Sequence, residues 1–283
     1  MRPEAQPGDE IVAEEAVRAY REDGAVCLRG AIAPEWIELL ARGVDRNIAA
    51  PGPTAQFYSG GTAEADGFFF ADHAMWQAIP EYEDFIRHSP AAEIAGRLMG
   101  AERTAIFFDN LIVKNKGTAD RTPWHQDIPY WQIEGAQVCS LWLPLDPVPR
   151  ENSPEYVRGS HLWGKTYKPK SFYDPDSDYS RRPEALDRIP DFDREREKHE
   201  FLSWAMEPGD IQAFTGVTVH GAPGNTSGRR RRAFVTRWAG EEARFAVRPG
   251  HMHPKFPDCG LKHGDPIDCE TFPVVWRKDA RAA

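Results

Sequence analysis

Apolar and polar positions change their period along this chain. From Asp9 to about Glu22, "DEIVAEEAVRAYRE" spaces Ile11, Val12, Ala16 and Tyr20 mostly as a helix does, behind an acidic start, which predicts an amphipathic helix. "DGAVCLRG" then reads as a turn and a short strand. In "APEWIELLARGVDRNIA", Pro34 sits near a helix start and Trp36, Ile37, Leu40 and Val44 share one side, predicting a second helix. A third helical stretch covers roughly Tyr82 to Met99 and is ended by Gly100.

Past residue 100 the helical period gives way to short β-branched and aromatic runs. "TAIFFDNLIVK", "AQVCSLWLPLD", "PEYVRGSHL", "DIQAFTG" and "RAFVTRWA" are separated by Gly, Pro, Asn and Asp, the punctuation of short strands. The pattern predicts helices first and then a mainly β core, built as a sandwich, jelly roll or barrel. One segment interrupts it, "KPKSFYDPDSDYSRRPEALDRIPDFDREREKHEF", rich in acids, arginines and prolines. It reads either as a solvated surface excursion or as a lid over a site.

With 283 residues, 41% of them hydrophobic, and no linker, repeat or low-complexity run, one domain over 1–283 is the economical reading. It divides into a mainly helical part (1–100), a β core (101–245) with a lid-like insertion (165–200), and a C-terminal tail (246–283). A formal net charge of -9 disfavours a nucleic-acid partner. The one basic cluster, Arg229 to Arg232, leads into "AFVTRW" and reads as a strand entry. The start lacks a secretory pattern and no run of eighteen apolar residues occurs, so a cytoplasmic protein without a membrane partner is expected. Cys27, Cys139, Cys259 and Cys269 form no CxxC pair and give no disulfide framework.

Candidate chemistry begins at "TPWHQDIPYW", where alternation along a strand would project His125 and Asp127 from one face. One imidazole and one carboxylate pointing together make half of a metal site. The third ligand suggested by the sequence is His220, after a strand pattern and before a Gly-rich turn. Two histidines and a carboxylate on a β scaffold make the facial triad that holds non-haem Fe(II) and leaves positions open. Such an iron needs an electron source; were it 2-oxoglutarate, its distal carboxylate would call for a cation such as arginine. Arg231 lies eleven residues after His220 and alternates with Ala233 and Val235 on one face, with Phe234 and Trp238 on the other. The alternative is that Arg231 is one of four solvated arginines.

These segments, together with "ENSPEYVRGSHLWG", "WAMEPGDIQAFTGVTVHGAPGNTS" and the opening "AYREDGAVCLRGAIAPEWIELL", resemble the phytanoyl-CoA dioxygenase (PhyH-like) family of Fe(II)- and 2-oxoglutarate-dependent oxygenases. The resemblance covers nearly the whole chain. It implies a double-stranded β-helix, a cupin-like jelly-roll barrel with N-terminal helices outside, using Fe(II), 2-oxoglutarate and O2. It makes His125, Asp127 and His220 the iron ligands and Arg231 the partner of the distal carboxylate. Trp142 matches a tryptophan of the cosubstrate pocket, and Asn110 falls where relatives touch 2-oxoglutarate. This chain departs from the family at Ser153, in place of glycine, and at Arg158, in place of proline. Asp127 is retained where related halogenases carry alanine or glycine, which argues for hydroxylation.

The activity implied is hydroxylation of a small-molecule metabolite with release of succinate and CO2, by a monomer or homodimer. The alternatives are desaturation, cyclisation or epimerisation at the same centre, and a non-catalytic jelly-roll binding protein. Tyr130 and Trp131 flank the His-x-Asp motif and are either packing or substrate contacts. His161, in "RGSHLWG", is the strongest rival ligand and otherwise a structural residue or a substrate neighbour. The tail gathers His251, His253, Cys259, His263 and Cys269 at spacings of no common zinc site, and reads as a segment folded over the barrel. His73, His88 and His199 show no partner pattern.

Overall fold

In the computed structural model, which describes residues 11–59, 61–170, 186–249 and 252–278, the first two helical patterns fold as α1 (Glu14–Asp23) and α2 (Pro34–Ala49). Asp9 and Glu10, where the first pattern begins, lie outside the described residues. The third pattern divides into α3 (Pro80–His88) and α4 (Ala91–Met99), where the periodicity predicted one helix. Pro90 lacks an N–H for the helical ladder and disfavours helical backbone at Ser89, which is extended at ψ 166°. No described helix is long and apolar enough to cross a membrane.

The strands in chain order are β1 (Ala25–Leu28), β2 (Gln56–Ser59), β3 (Phe69–His73), β4 (Arg103–Lys114), β5 (Thr122–His125), β6 (Ile133–Glu134) and β7 (Val138–Pro144). They continue as β8 (Glu155–Val157), β9 (Phe201–Leu202), β10 (Ile211–Thr215), β11 (His220–Ala222), β12 (Arg231–Ala239), β13 (Arg244–Phe245) and β14 (Val274–Arg277). The larger sheet runs β1-β10-β7-β12-β4-β3-β2, with β14 added on β4; the smaller runs β5-β11-β8-β9. Every pairing between these described strands is antiparallel. This is the jelly-roll architecture, with its helices packed outside.

The two faces of the larger sheet have different companions. Outward, Leu141, Ile211, Phe234 and Trp238 join Leu40, Val44, Tyr82, Phe85 and Leu98 of the helices in the main apolar cluster. Inward, Trp142, Phe214, Ala233 and Val235 meet Tyr156 of the smaller sheet. Period-2 alternation sorts β12 between these clusters, as the sequence indicates.

The insertion is solvated at most of its described charged positions, such as Asp187, Arg188, Asp193 and Arg194, and departs from that reading at its apolar ones. Tyr167, Ile189 and Phe192 are buried with Trp124, Val157 and Val219, because this stretch keeps apolar side chains among its charges. Residues 171–185, the centre of the lid expectation, lie outside the described residues, as does His251.

Candidate metal centre

His125 closes β5 and His220 opens β11, and the two are direct antiparallel partners with ring centroids 4.1 Å apart. His125 Nδ1 is 2.8 Å from the Pro123 carbonyl and His220 Nδ1 is 2.9 Å from the Thr218 carbonyl. A carbonyl only accepts, so in each neutral ring Nδ1 carries the proton and Nε2 presents a lone pair. Those Nε2 atoms lie 3.4 Å and 3.8 Å from Oδ1 of Asp127.

Asp127 arrives by a route that alternation along a strand does not describe. β5 ends at His125, and Asp127 is already in helical backbone (φ -76°, ψ -48°) at the head of the 3-10 turn Ile128–Tyr130. The N–H groups of Asp127 and Ile128 both donate to the Gly216 carbonyl, and Pro129 favours the turn. Gly216 permits this approach, because a Cβ there would come within 2.8 Å of Ile128 Cγ1. Gln126 is drawn elsewhere: its Nε2 donates to the carbonyls of Lys165 and Val217, and its Oε1 accepts from the Tyr167 N–H.

Electrostatics suit a cation. Burial alone would raise the Asp127 carboxyl, but Arg237, then His220 and His125, outweigh it and hold the group well below the usual carboxylate range. Burial, reinforced by His125, pushes His220 down to about 3, with Asp127 pulling the other way, so its ring is neutral near pH 7. Ser140 Oγ donates to Asp127 Oδ2 at 3.2 Å, leaving Oδ1 toward the imidazoles. One ligand atom from each of the three residues falls within 4.8 Å of the others, so the group can hold a metal ion.

A cavity of about 150 Å³ opens on the triad. Asn110, Tyr130, Trp131 and Trp142 all line it. The Asn110 Oδ1 is buried without a hydrogen-bond partner among the described residues. Tyr130 stands edge-on to His125, its hydroxyl donating to the Lys170 carbonyl and accepting from the Lys170 N–H.

Arg231 is not in the lining. It is buried at the start of β12, opposite Lys114 of β4, and its Nη1 donates to the Asn152 carbonyl. Burial lowers its guanidinium to about 10. Among the described residues no carboxylate lies within ion-pair distance of Arg231 or Lys114. Being buried, Arg231 is not one of four solvated arginines. His161 is also outside the cavity: its ring lies 2.9 Å from the Arg21 carbonyl and ties the end of α1 to the Ser160–Trp163 turn.

Three features escape a motif search. Arg237 follows Arg231 on the same inward alternation, so extending the pattern by six residues finds it. Ser140, on β7 opposite Arg237, offers only its register as a signal. His73 and His253 line the cavity together, 3.3 Å apart, with Gln56 Nε2 3.2 Å from His253. The Tyr58 hydroxyl donates to Gln56 Oε1 and so orients that amide toward His253. His73, without a partner pattern in sequence, thus finds one 180 residues away.

The family model described as Phytanoyl-CoA dioxygenase (PhyH) matches residues 20–233. The multifunctional dioxygenase prhA of Penicillium brasilianum is 26% identical over 236 residues, 79% of this chain and 71% of that protein. Among solved structures, the non-heme alpha ketoglutarate dependent carbocyclase SnoK from nogalamycin biosynthesis aligns over 94% of this chain and 97% of its own, at 23% identity and TM-score 0.71. The epimerase SnoN, in complex with Fe3+, alpha ketoglutarate and nogalamycin RO, aligns over 93% of this chain and 98% of its own, at 20% identity and TM-score 0.69. The two structures share the fold, and the family match spans well over half the chain, which belongs to the phytanoyl-CoA dioxygenase family of Fe(II)- and 2-oxoglutarate-dependent oxygenases.

Proposed function

We propose that the chain binds Fe(II) through His125, Asp127 and His220 and couples 2-oxoglutarate decarboxylation to hydroxylation of a small-molecule metabolite, releasing succinate and CO2. The observation that carries this reading is the convergence of two imidazole lone pairs and one carboxylate oxygen, all buried and all acceptors. Without a cation these groups repel; with one they form the facial arrangement that leaves positions for cosubstrate and oxygen. Bound Fe(II) supplies the O2 activation that the family's chemistry requires.

The protein's own residues do the positioning. The backbone carbonyls of Pro123 and Thr218 fix the imidazole tautomers, and Ser140 holds the second oxygen of Asp127. Arg231, buried beside Lys114 with no acid partner among the described residues, is the cation for the distal carboxylate of 2-oxoglutarate. Asn110 and Trp142 form the cosubstrate wall, and Tyr130 and Trp131 face the substrate. A carboxylate at position 127 occupies the place a halide would need, which favours hydroxylation over halogenation. The family and the complete triad leave a non-catalytic binding protein without support.

A second reading keeps the iron centre and changes the outcome. SnoK is a carbocyclase and SnoN an epimerase, so ring closure or inversion is compatible with this scaffold. Anaerobic addition of Fe(II) and 2-oxoglutarate should give the weak visible charge-transfer band of the chelate, absent in His125→Ala, Asp127→Ala and His220→Ala. A wild-type protein that shows no band overturns the assignment. Screening metabolites for triggered succinate release, with the product's mass analysed, separates hydroxylation from ring closure and epimerisation.

A further inference from the structure

Beside Asp127, the cavity wall carries a demand that the metal does not meet. Arg237 is only 6% exposed, lines the cavity, and has its guanidinium carbon 5.7 Å and 5.1 Å from the ring centroids of Phe108 and Trp131. Its Nε stops 3.6 Å from Asp127 Oδ2, and among the described residues neither Nε nor Nη1 has a hydrogen-bond partner. Buried donors on a charged group are costly to leave unpaired, and such a group in a cavity points to a ligand.

Charge points the same way. The chain as a whole carries -9, yet among the described residues the cavity lining has one carboxylate, Asp127, against Arg237 and Lys170. In the loaded site read above, the charges of Fe(II), Asp127, 2-oxoglutarate and Arg231 cancel. The positive charges of Arg237, Lys114 and Lys170 lie outside that sum, and that of Arg237 sits on the wall of the cavity in a buried space, where an unbalanced charge is expensive.

We propose that Arg237 anchors a negatively charged oxygen of the substrate, a carboxylate or an ionised enol or phenol, on the Asp127 side of the metal. Phe108 and Trp131 flank the guanidinium and offer an aromatic surface to the carbon skeleton behind that oxygen. Arginine's planar fork suits such an acceptor better than a lysine would. The substrate is thus a small unsaturated or aromatic acid rather than a neutral or cationic metabolite. This rests on the Fe(II) and 2-oxoglutarate reading of the site.

The test uses matched acid and amide probes on the anaerobic protein loaded with Fe(II) and saturating 2-oxoglutarate. Benzoate is compared with benzamide, and 2-naphthoate with 2-naphthamide, by the shift each causes in the charge-transfer band. Each acid should act at concentrations about ten-fold or more below its amide, the ratio expected of one charge-assisted contact. Arg237→Met should erase that preference. Where Arg237→Met does not form the band, Arg237→Lys and Arg237→Gln decide: Lys should keep part of the preference and Gln should lose it.

Equal potency of acid and amide overturns the proposal, as does a wild-type preference surviving in Arg237→Met or Arg237→Gln. Loss of the band on adding benzoate, instead of a shift, reports displacement of 2-oxoglutarate and also counts against it. A wild-type protein with no band at all overturns the metal reading, whereas a normal band with no acid preference overturns this inference alone.

Discussion

On the outer face of β12, Phe234 and Trp238 are fully buried, with Phe234 4.4 Å from Tyr82 and 5.8 Å from Phe85 between ring centroids. On its inner face Arg231 and Arg237 are nearly as deeply buried, and they bracket Ala233 and Val235. Folding by itself satisfies the outer face, where apolar surface meets apolar surface. The inner face buries two guanidiniums with a single carboxylate, Asp127, within ion-pair distance of either among the described residues. In the reading proposed above, such a face is completed by what binds to it. One strand then holds the helices in place with one side and offers its two guanidiniums to ligands with the other.

The comparison breaks most readily on the outer face. Trp238→Ala should destabilise by about 3–5 kcal/mol in denaturant titration, while the folded fraction keeps its Fe(II)–2-oxoglutarate band. A band lost in proportion to more than the unfolded fraction would show that the two faces are not separable. Next in size is Asp127→Ala on the cavity side. Changes to groups behind metal ligands alone cost about 10–100-fold in affinity, so loss of a ligand should cost more than about 100-fold in Fe(II) binding. Its unfolding should stay cooperative, as measured by circular dichroism.

Arg231→Met sharpens the contrast further. Affinity for 2-oxoglutarate in anaerobic titration should fall about 10–100-fold, the range for a hydrogen-bonded charge. The thermal midpoint without cosubstrate should hold or rise, because an unpaired buried cation is removed. A lower midpoint with unchanged cosubstrate affinity would make Arg231 a structural residue.

The smallest effect concerns an exception on the outer face. Asp109 is fully buried, accepts the Trp76 N–H at 2.9 Å through Oδ1, and leaves Oδ2 without a hydrogen-bond partner among the described residues. Burial raises its carboxyl to about 7. A folded-state pKa above the unfolded value means that the folded state holds the proton more tightly. The associated stability is fully present below about pH 4 and is lost as pH rises toward 7. Asp109→Asn removes that loss, so urea unfolding should show its advantage over wild type growing by on the order of 1 kcal/mol from pH 6 to pH 8. A difference independent of pH would mean that Asp109 is already ionised in the folded chain.

Legibility in the sequence followed how local each signal was. The alternation of "RAFVTRWA" sorted Phe234 and Trp238 from Ala233 and Val235, and the sheets keep that division. The helical period over Tyr82–Met99 hides its own interruption, because spacing alone gives no weight to the backbone limits that Pro90 imposes. His125 and Asp127 are brought together, but by a turn that Gly216 admits and not by strand alternation. Arg237 was within reach of the alternation that singled out Arg231. The His73–His253 pair was not, since nothing within either segment marks a partner 180 residues away.

The two carbonyls behind the imidazoles carry a consequence for redesign. Pro123 and Thr218 each stand two residues before the histidine they orient, so the ring geometry is written into the main chain of β5 and the approach to β11. Tyr130, edge-on to His125, and Tyr156 and Phe214, packed on His220, hold the same rings from the side. The walls at Trp131 and His73 can accordingly be rebuilt to admit other molecules while the two imidazoles of the proposed metal centre stay in register.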